Sequence, residues 1–182
     1  AKAEVEKLRE ELMGSMAEIL AVGMEKVAGK SFSSKDKKEI IIQSPYLVLS
    51  SQATALFKAA IKRGVKIKIN TNSLASTDNI QAFSGFRNQR EQLTKMGIEI
   101  FEYKPDPQIK QQLLRQATTA QTTAAKAKPP VFAIHAKTMV IDKTNTYIGT
   151  FNFDPRSQNL NTEVGVIVQD AGLANKVQAS IE

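Results

Sequence analysis

Apolar runs that alternate with helical stretches from residue 39 onward are the feature that most limits the fold of this chain. The helical stretches, 53–62 and 79–96, are followed by Gly64 and Gly97, and a glycine at this position commonly ends a helix. The apolar runs cover residues 40–42, 46–49, 65–69 and 98–103. Strands separated by helices imply crossover connections and a sheet with both faces covered. We therefore expect one α/β domain in which helices flank a mixed β-sheet.

Two segments outside this alternation set the predicted domain boundaries. Residues 1–38 are expected to form an N-terminal helical segment, because apolar side chains recur there at helical spacing. Residues 39–182 would then form the domain. Within it, the stretch at about 105–130 is bounded by prolines and is rich in Gln, Thr, Ala and Lys. A long insertion of this composition is usually a loop, and we expect it to be flexible.

Composition narrows the classes of partner and of site. The chain has 182 residues, 42% of them apolar, which is enough for one domain with a core. It has no cysteine, which excludes disulfides and thiolate metal sites. Its net charge of +7 favours anionic partners such as phospholipid headgroups or nucleic acid. Ordinary solubilising charge explains the same excess equally well.

A histidine and a lysine open the motif that carries chemistry. The only histidine of the chain, His135, begins the pattern H-x-K-x4-D-x6-G-T-x-N, which ends at Asn152. His135 and Lys137 are two residues apart on a predicted strand, 132–141, so their side chains should project from one face. A nucleophilic imidazole beside a fixed cation suits attack on a phosphodiester. A histidine in the core and a lysine on a strand surface are the structural alternatives.

A predicted hairpin brings further polar side chains to this pair. A four-residue loop at 142–145 would set His135 opposite Asn152 and Lys137 opposite Thr150. Directly opposed residues of neighbouring strands share a face of the sheet. The four side chains are therefore expected to converge on one patch.

Each residue of the motif suggests a role. A neutral nitrogen of His135 would attack phosphorus while an acceptor holds the other nitrogen, and Lys137 would neutralise the phosphate and the charge of the transition state. Asn152 is expected to donate to phosphate oxygens or to hold the hairpin, with Thr150 in support. Asp142 completes the motif but lies seven residues from His135, at the strand end, so it should cap the turn rather than touch substrate.

Segments on both sides of the motif carry a resemblance to a known family. They are Ser44–Tyr46, Arg63–Val65, Thr71–Asp78, Gly97–Tyr103, Asp154–Ser157 and Asn161–Gly165. Together with the motif, they make the region from about 39 to 170, except 107–130, similar to the phospholipase D superfamily and its HKD signature. Within this superfamily, the sequence most resembles the C-terminal half of bacterial cardiolipin synthase-like proteins. Phe83 departs from this likeness, because we expect His at its position.

The resemblance implies a phospholipase D-type fold with one HKD half, and phosphodiester chemistry through a phosphohistidine without metal or cofactor. The catalytic set that it implies is His135, Lys137, Asp142, Asn152 and Glu163. The phosphate-binding set is Lys137, Asn152 and Thr150, and the supporting set is Gly149, Arg156 and Ser157. Glu163 would orient an imidazole, of this motif or of a partner's, unless it is a surface residue at a strand edge.

The family mechanism uses two HKD motifs, whereas this sequence holds one histidine. The second motif would come from the missing half of a longer enzyme or from a second copy of the chain. The implied reaction is phosphatidyl transfer, or hydrolysis, on an anionic phosphatidylglycerol-like phospholipid at a membrane surface. The implied location is the bacterial cytoplasm or the periphery of the inner membrane. The alternatives are a homodimeric HKD nuclease and an inactive phosphate- or lipid-binding half-domain. We expect an open site face with exposed Phe151 and Phe153.

Overall fold

The computed structural model describes residues 39–105 and 132–182. The predicted N-terminal helical segment and, apart from Pro105, the predicted insertion lie outside these ranges. The strands are β1 (Glu39–Gln43), β2 (Lys66–Asn72), β3 (Glu99–Tyr103), β4 (Thr138–Ile141), β5 (Asn145–Gly149) and β6 (Gly165–Gln169). The helices are α1 (Ser51–Lys62), α2 (Ile80–Lys95), α3 (Pro155–Asn159) and α4 (Ala171–Ile181). Strands and helices alternate as far as β3, and three strands and two helices follow.

All six strands form one sheet in the order β3-β2-β1-β4-β5-β6. β1, β2 and β3 pair in parallel, as the helical crossovers require, and β4, β5 and β6 pair antiparallel. The predicted mixed sheet flanked by helices is thus confirmed. Because β1 and β4 are central neighbours, the two halves of the chain meet in the middle of the sheet.

The core occupies both faces of the sheet, because neighbouring residues of β1 point to opposite sides. Its larger part packs α1 and α2 on one face and includes Ile40, Ile42, Phe57, Ile67, Ile69 and Phe86. On the other face, Ile41 and Val140 pack with Ala174 and Ile181 of α4. A continuous apolar run such as 40–42 is typical of a strand that is buried on both faces.

Polar caps and glycines set the helix ends. Ser50 and Asn79 begin α1 and α2, and each side chain accepts a hydrogen bond from a backbone N–H of the first turn. Gly64 and Gly97 follow these helices with φ of +86° and +100°, as predicted. In the described ranges, no helix combines the length and apolar character that crossing a membrane requires.

The predicted strand 132–141 is shorter in the structure. β4 begins only at residue 138, and the segment before it has no regular secondary structure. His135 and Lys137 therefore precede the strand instead of lying within it. The physical reason is that the side chain of Asn72, and not a strand, takes the backbone hydrogen bonds of Ile134.

The predicted register of the hairpin is also wrong, by one residue. Asp142 and Lys143 both adopt positive φ, 51° and 55°, which closes the turn with three loop residues instead of four. The Gly149 N–H donates to the Lys137 carbonyl (3.1 Å), so Lys137 lies opposite Gly149 and not opposite Thr150. Because of this shift, and because residues 132–137 are not a strand, His135 does not pair opposite Asn152 as predicted.

Candidate active site

The candidate site lies where the carboxyl ends of β1 and β2 meet the segments before β4 and after β5. The Val48 N–H donates to the Phe153 carbonyl (2.6 Å), and Leu47 forms a parallel bridge with Phe153. The Phe153 N–H in turn reaches the hydroxyl of Ser44 (3.4 Å). These bonds attach the motif's last segment to the carboxyl end of β1. They bring distant parts of the sequence together at the carboxyl ends of the central strands.

His135 and Lys137 form the centre of the site. The Nζ atom of Lys137 lies 3.1 Å from Nδ1 of His135 and 2.8 Å from its carbonyl oxygen. The imidazole is exposed, and Lys137 is half-buried. A charged ammonium donates to Nδ1, so a neutral ring in this arrangement carries its proton on Nε2. The predicted pair is therefore in contact. The Lys137 ammonium occupies Nδ1, the nitrogen for which a hydrogen-bond acceptor was expected.

The charge of Lys137 is set by opposing effects. Burial lowers the pKa of its ammonium, while the carboxylates of Glu163, Asp78 and Asp154 act in the opposite direction. Partial desolvation strengthens the attraction between the Lys137 ammonium and a phosphate, whereas the neighbouring carboxylates oppose it. Among the described residues, no group of three or more His, Cys, Asp or Glu side chains could hold a metal ion.

Thr150 and Glu163 join the end of β5 to the start of β6. The Thr150 hydroxyl donates to Oε2 of Glu163 (2.5 Å) and accepts from the N–H of Val164 (2.9 Å). Oε1 of Glu163 accepts from the amide of Asn161 (3.2 Å). The hydroxyl proton of Thr150 is thus engaged by Glu163, which favours support over phosphate binding. In the described part of the chain, Glu163 does not contact His135.

Asn152 stands on a loop that α3 and its cap hold in place. Its N–H donates to the hydroxyl of Ser157 (3.1 Å), and the N–H of Ser157 donates to Asp154 (2.8 Å). The side-chain Oδ1 of Asn152 is buried without a hydrogen-bond partner among the described residues. Ser157 thus holds the backbone of Asn152, and Arg156 is exposed on α3.

Asp142 lies at the other end of β4 from His135. Its Oδ1 accepts from the N–H of Glu39 (3.0 Å), and its own N–H donates to the Glu39 carbonyl (3.0 Å). This reciprocal pair ties the β4–β5 turn to the start of β1. The structure thus places Asp142 where a turn cap was expected, far along the strand from the imidazole.

Gly149 leaves room for the ring of Tyr147, which lies against Gly149 of β5 and Gly165 of β6. A Cβ atom at Gly149 or at Gly165 would overlap the ring and hydroxyl of Tyr147. Burial raises the pKa of the Tyr147 hydroxyl. The packing of Tyr147 therefore explains why the motif has a glycine at position 149.

Two groups of residues were missed by sequence reasoning. Asn72 bonds the backbone just before His135, and Tyr46 donates to Asp78 (2.8 Å). Burial, followed by the bond to Asp78, raises the pKa of Tyr46 to about 12. The available signal was that these residues belong to the quoted resemblance segments, which lie at or just after the carboxyl ends of β1 and β2.

The expected exposure of Phe151 and Phe153 is wrong. Phe153 is only 6% exposed, and Phe151 is half-buried against it with their ring centroids 5.6 Å apart. Both pack on the larger core. Several of the exposed apolar residues lie instead towards and along β6, among them Leu160 (77%), Val164 (70%) and Val166 (57%). Phe83 is buried in edge contact with Phe86, so the departure from the expected histidine serves the core.

Comparison with known sequences identifies the family to which this chain is similar. A family model described as cardiolipin synthase, PLD-like domain, matches residues 33–182. Cardiolipin synthase C of Escherichia coli (strain K12) is 36% identical over 140 residues, which are 77% of this chain and 28% of that protein. The chain thus spans less than a third of the length of this relative.

Two solved structures share the fold. NucT from Helicobacter pylori gives a TM-score of 0.59 at 17% identity, covering 95% of this chain and 86% of that chain. Nuc from Salmonella typhimurium, described as a phospholipase D family member, gives a TM-score of 0.54 at 18% identity, covering 81% and 77%. At these identities the likeness shows the fold alone.

Proposed function

The chain belongs to the cardiolipin synthase family of phospholipase D-like domains, and we propose that it supplies one HKD half of a site for phosphodiester chemistry. The observation that carries this proposal is the contact between the Lys137 ammonium and Nδ1 of His135 at 3.1 Å, on an exposed imidazole. A phosphate that approaches the ring would meet the cation and the imidazole together. Asn152, on the neighbouring loop, is a further candidate for phosphate contact.

The proposed reaction needs two imidazoles. A free nitrogen of one attacks phosphorus, the bond to the leaving alcohol breaks, and the second imidazole gives that alcohol a proton. The phosphohistidine is then attacked by water or another alcohol, whose proton passes to the second imidazole, and the first imidazole is released. Lys137 would stabilise the negative charge that the phosphoryl oxygens carry through both steps.

The second imidazole must come from outside this chain, which has a single histidine. In the described residues no carboxylate bonds Nδ1 of His135, where Lys137 donates instead. An acceptor that holds Nδ1–H in a productive tautomer would therefore also come from the partner, and Lys137 would have to leave Nδ1. The exposed residues Leu160, Val164 and Val166 lie close in sequence to Glu163, and apolar surface beside a site commonly binds a partner. We infer that a second HKD half, or a second copy, covers this edge.

For the substrate, we favour phosphatidyl transfer or hydrolysis on an anionic phospholipid such as phosphatidylglycerol. The family description and the similarity to cardiolipin synthase C support this choice, as does the net charge of +7. Such a substrate would place the protein at the periphery of a membrane or in the bacterial cytoplasm. A homodimeric nuclease is the second candidate, favoured by the single motif. A phosphate-binding half without activity is the third.

Incubation with phosphatidylglycerol liposomes and, separately, with plasmid DNA would separate these functions. Lipid products without DNA cleavage support the first, DNA cleavage supports the second, and binding without turnover supports the third. Sedimentation of the same samples would show whether activity belongs to a dimer. Turnover at a normal enzymatic rate by a strict monomer would contradict the two-imidazole mechanism.

Two variants provide a matched control for the role of Lys137. Lys137→Asn and Lys143→Asn remove the same charge from the same hairpin, but only Lys137 contacts His135. Asparagine also tolerates the positive φ of Lys143. We expect activity to fall by about a hundredfold or more in Lys137→Asn and to remain in Lys143→Asn. Equal losses in both would indicate a general effect of charge.

A further inference from the structure

Asn72, at the carboxyl end of β2, joins three segments of the site. Its side chain is buried, with 2% of the residue exposed. Oδ1 accepts from the N–H of Ile134 (2.8 Å), and Nδ2 donates to the carbonyl of Ile134 (3.0 Å) and to the carbonyl of Pro45 (3.3 Å). One amide group thus satisfies both backbone groups of a residue that no strand pairs at this point.

We propose that Asn72 is the positioning residue for His135. Ile134 directly precedes His135, so a two-point attachment of Ile134 fixes the backbone from which the imidazole leaves. The imidazole itself is exposed, and among the described residues only Lys137 forms a hydrogen bond with its ring. Its orientation therefore depends on the backbone to an unusual degree. The role rests on the proposed function, but it can be measured without turnover.

Ser76 extends this arrangement to β3. Its hydroxyl lies within hydrogen-bond distance of Oδ1 of Asn72 (3.2 Å) and of the carbonyl of Tyr103 (3.0 Å). Tyr103 ends β3, and Ile134 lies near the start of the second described range. Both sides of the long connection between β3 and β4 are thus attached to the turn after β2. The position of His135 is then set by β2 and not by the length of that connection.

The single histidine makes the test direct, because the imidazole proton signals in a proton NMR spectrum belong to His135 alone. The test variant is Asn72→Ala. The matched control is Thr71→Val, since Thr71 is equally buried in the same strand and bonds Pro45 (3.4 Å) but not Ile134. We expect the His135 signals to move or broaden in Asn72→Ala and to stay at their wild-type positions in Thr71→Val.

A second variant covers the case in which Asn72→Ala does not fold. Asn72→Asp keeps an acceptor for the Ile134 N–H but loses both bonds that Nδ2 donates, so the His135 signals should again differ from wild type. Unchanged signals in the folded Asn72 variants, or an equal change in Thr71→Val, would overturn the proposal.

Kinetics separate this inference from the proposed function. In the assembled enzyme, kcat of the Asn72 variants should fall by up to about a hundredfold with little change in KM, because a misplaced nucleophile loses rate more than binding. A kcat equal to that of wild type would count against positioning. If the wild-type protein has no phosphodiesterase activity in any form, the proposed function fails, whereas the NMR comparison still decides whether Asn72 orients His135.

Discussion

On one side of the candidate site, buried Asn72 holds the backbone before His135, whereas on the other side Thr150 and Glu163 meet near the exposed strand β6. The first side is embedded in the sheet, with central β1 and β4 paired and both faces covered. The second ends at an edge strand with exposed valines. The difference teaches that half of the site is preorganised within the chain, while the other half presents surface to a partner.

The largest expected effect tests the embedded side. His135→Ala should lower phosphodiesterase activity by more than about a thousandfold in any assembled form, because the nucleophile or proton donor is lost. The melting temperature should stay nearly unchanged, since the side chain is exposed. Activity assays together with thermal unfolding measure both. Retained activity in His135→Ala would contradict the proposed role of the imidazole, and loss of wild-type activity on treatment with EDTA would contradict the proposed metal-free chemistry.

A pair of truncations compares core and edge directly. Phe86→Ala removes a ring that is 2% exposed and should lower the free energy of unfolding by about 3–5 kcal/mol. Val166→Ala, at 57% exposure, should change it by about 0.5 kcal/mol or less. Urea unfolding of the monomer measures both. A large cost for Val166→Ala in the monomer would show that the β6 edge is already packed without a partner.

Gly149→Ala tests the junction between the two sides. Its new Cβ would overlap Tyr147 and approach the carbonyl of Val164, so the ring or β6 must move. We expect a loss of about 1–3 kcal/mol in the free energy of unfolding. Gly172→Ala, on an exposed position of α4, is the control with much less crowding. Similar unfolding curves for the two variants would mean that Tyr147 has another place to go.

The smallest expected effect concerns two lysines whose pKa values shift in opposite directions. The hydrogen bond that Lys68 donates to the Glu39 carboxylate raises the pKa of Lys68 above 10.5. The stabilising contribution of Lys68 is therefore present below pH 10.5 and is lost as pH rises through the folded-state value. Burial lowers the pKa of Lys137. The unfolded chain then binds more protons, and stability rises with pH between the folded-state value and 10.5.

Lys68→Met and Lys137→Met should therefore change the pH dependence of unfolding in opposite senses. Relative to wild type, the first variant should lose less stability at high pH, and the second should gain less. Urea unfolding at a series of pH values between 8 and about 11 would measure this difference. Parallel profiles for the two variants would contradict the assigned pKa directions.

The sequence was sufficient for those features that local rules control. The apolar runs at 40–42, 65–69 and 98–103 predicted β1, β2 and β3, and the glycines at 64 and 97 predicted the helix ends, because burial and backbone freedom act over a few residues. The predicted strand at 46–49 is wrong, because this run forms only the isolated bridge of Leu47 with Phe153. The contact of His135 with Lys137 was also predicted, since the two residues are close in the chain. That contact survives although the segment is not a strand.

Features that depend on distant partners could not be predicted. The turn is one residue tighter than expected because Asp142 is fixed by Glu39, 103 residues away. The burial of Phe153 depends on its packing against Phe57 of α1. Likewise, nothing near Asn72 indicates that its partner is Ile134. Polar side chains that bond remote backbone carry no local periodicity, so pattern analysis passes over them.

The central pairing of β1 with β4 has a consequence for folding kinetics. The parallel unit of β1, β2 and β3 consists of strands joined by single crossovers, so it has all its elements once residue 103 has been synthesised. β1 joins its other neighbour across 95 residues, from Gln43 to Thr138 at the closest, and contacts of such sequence separation form slowly. Until then one edge of β1 stays open. We expect the imidazole to be the last part of the domain to become ordered, after a half-sheet intermediate whose apolar edge favours aggregation.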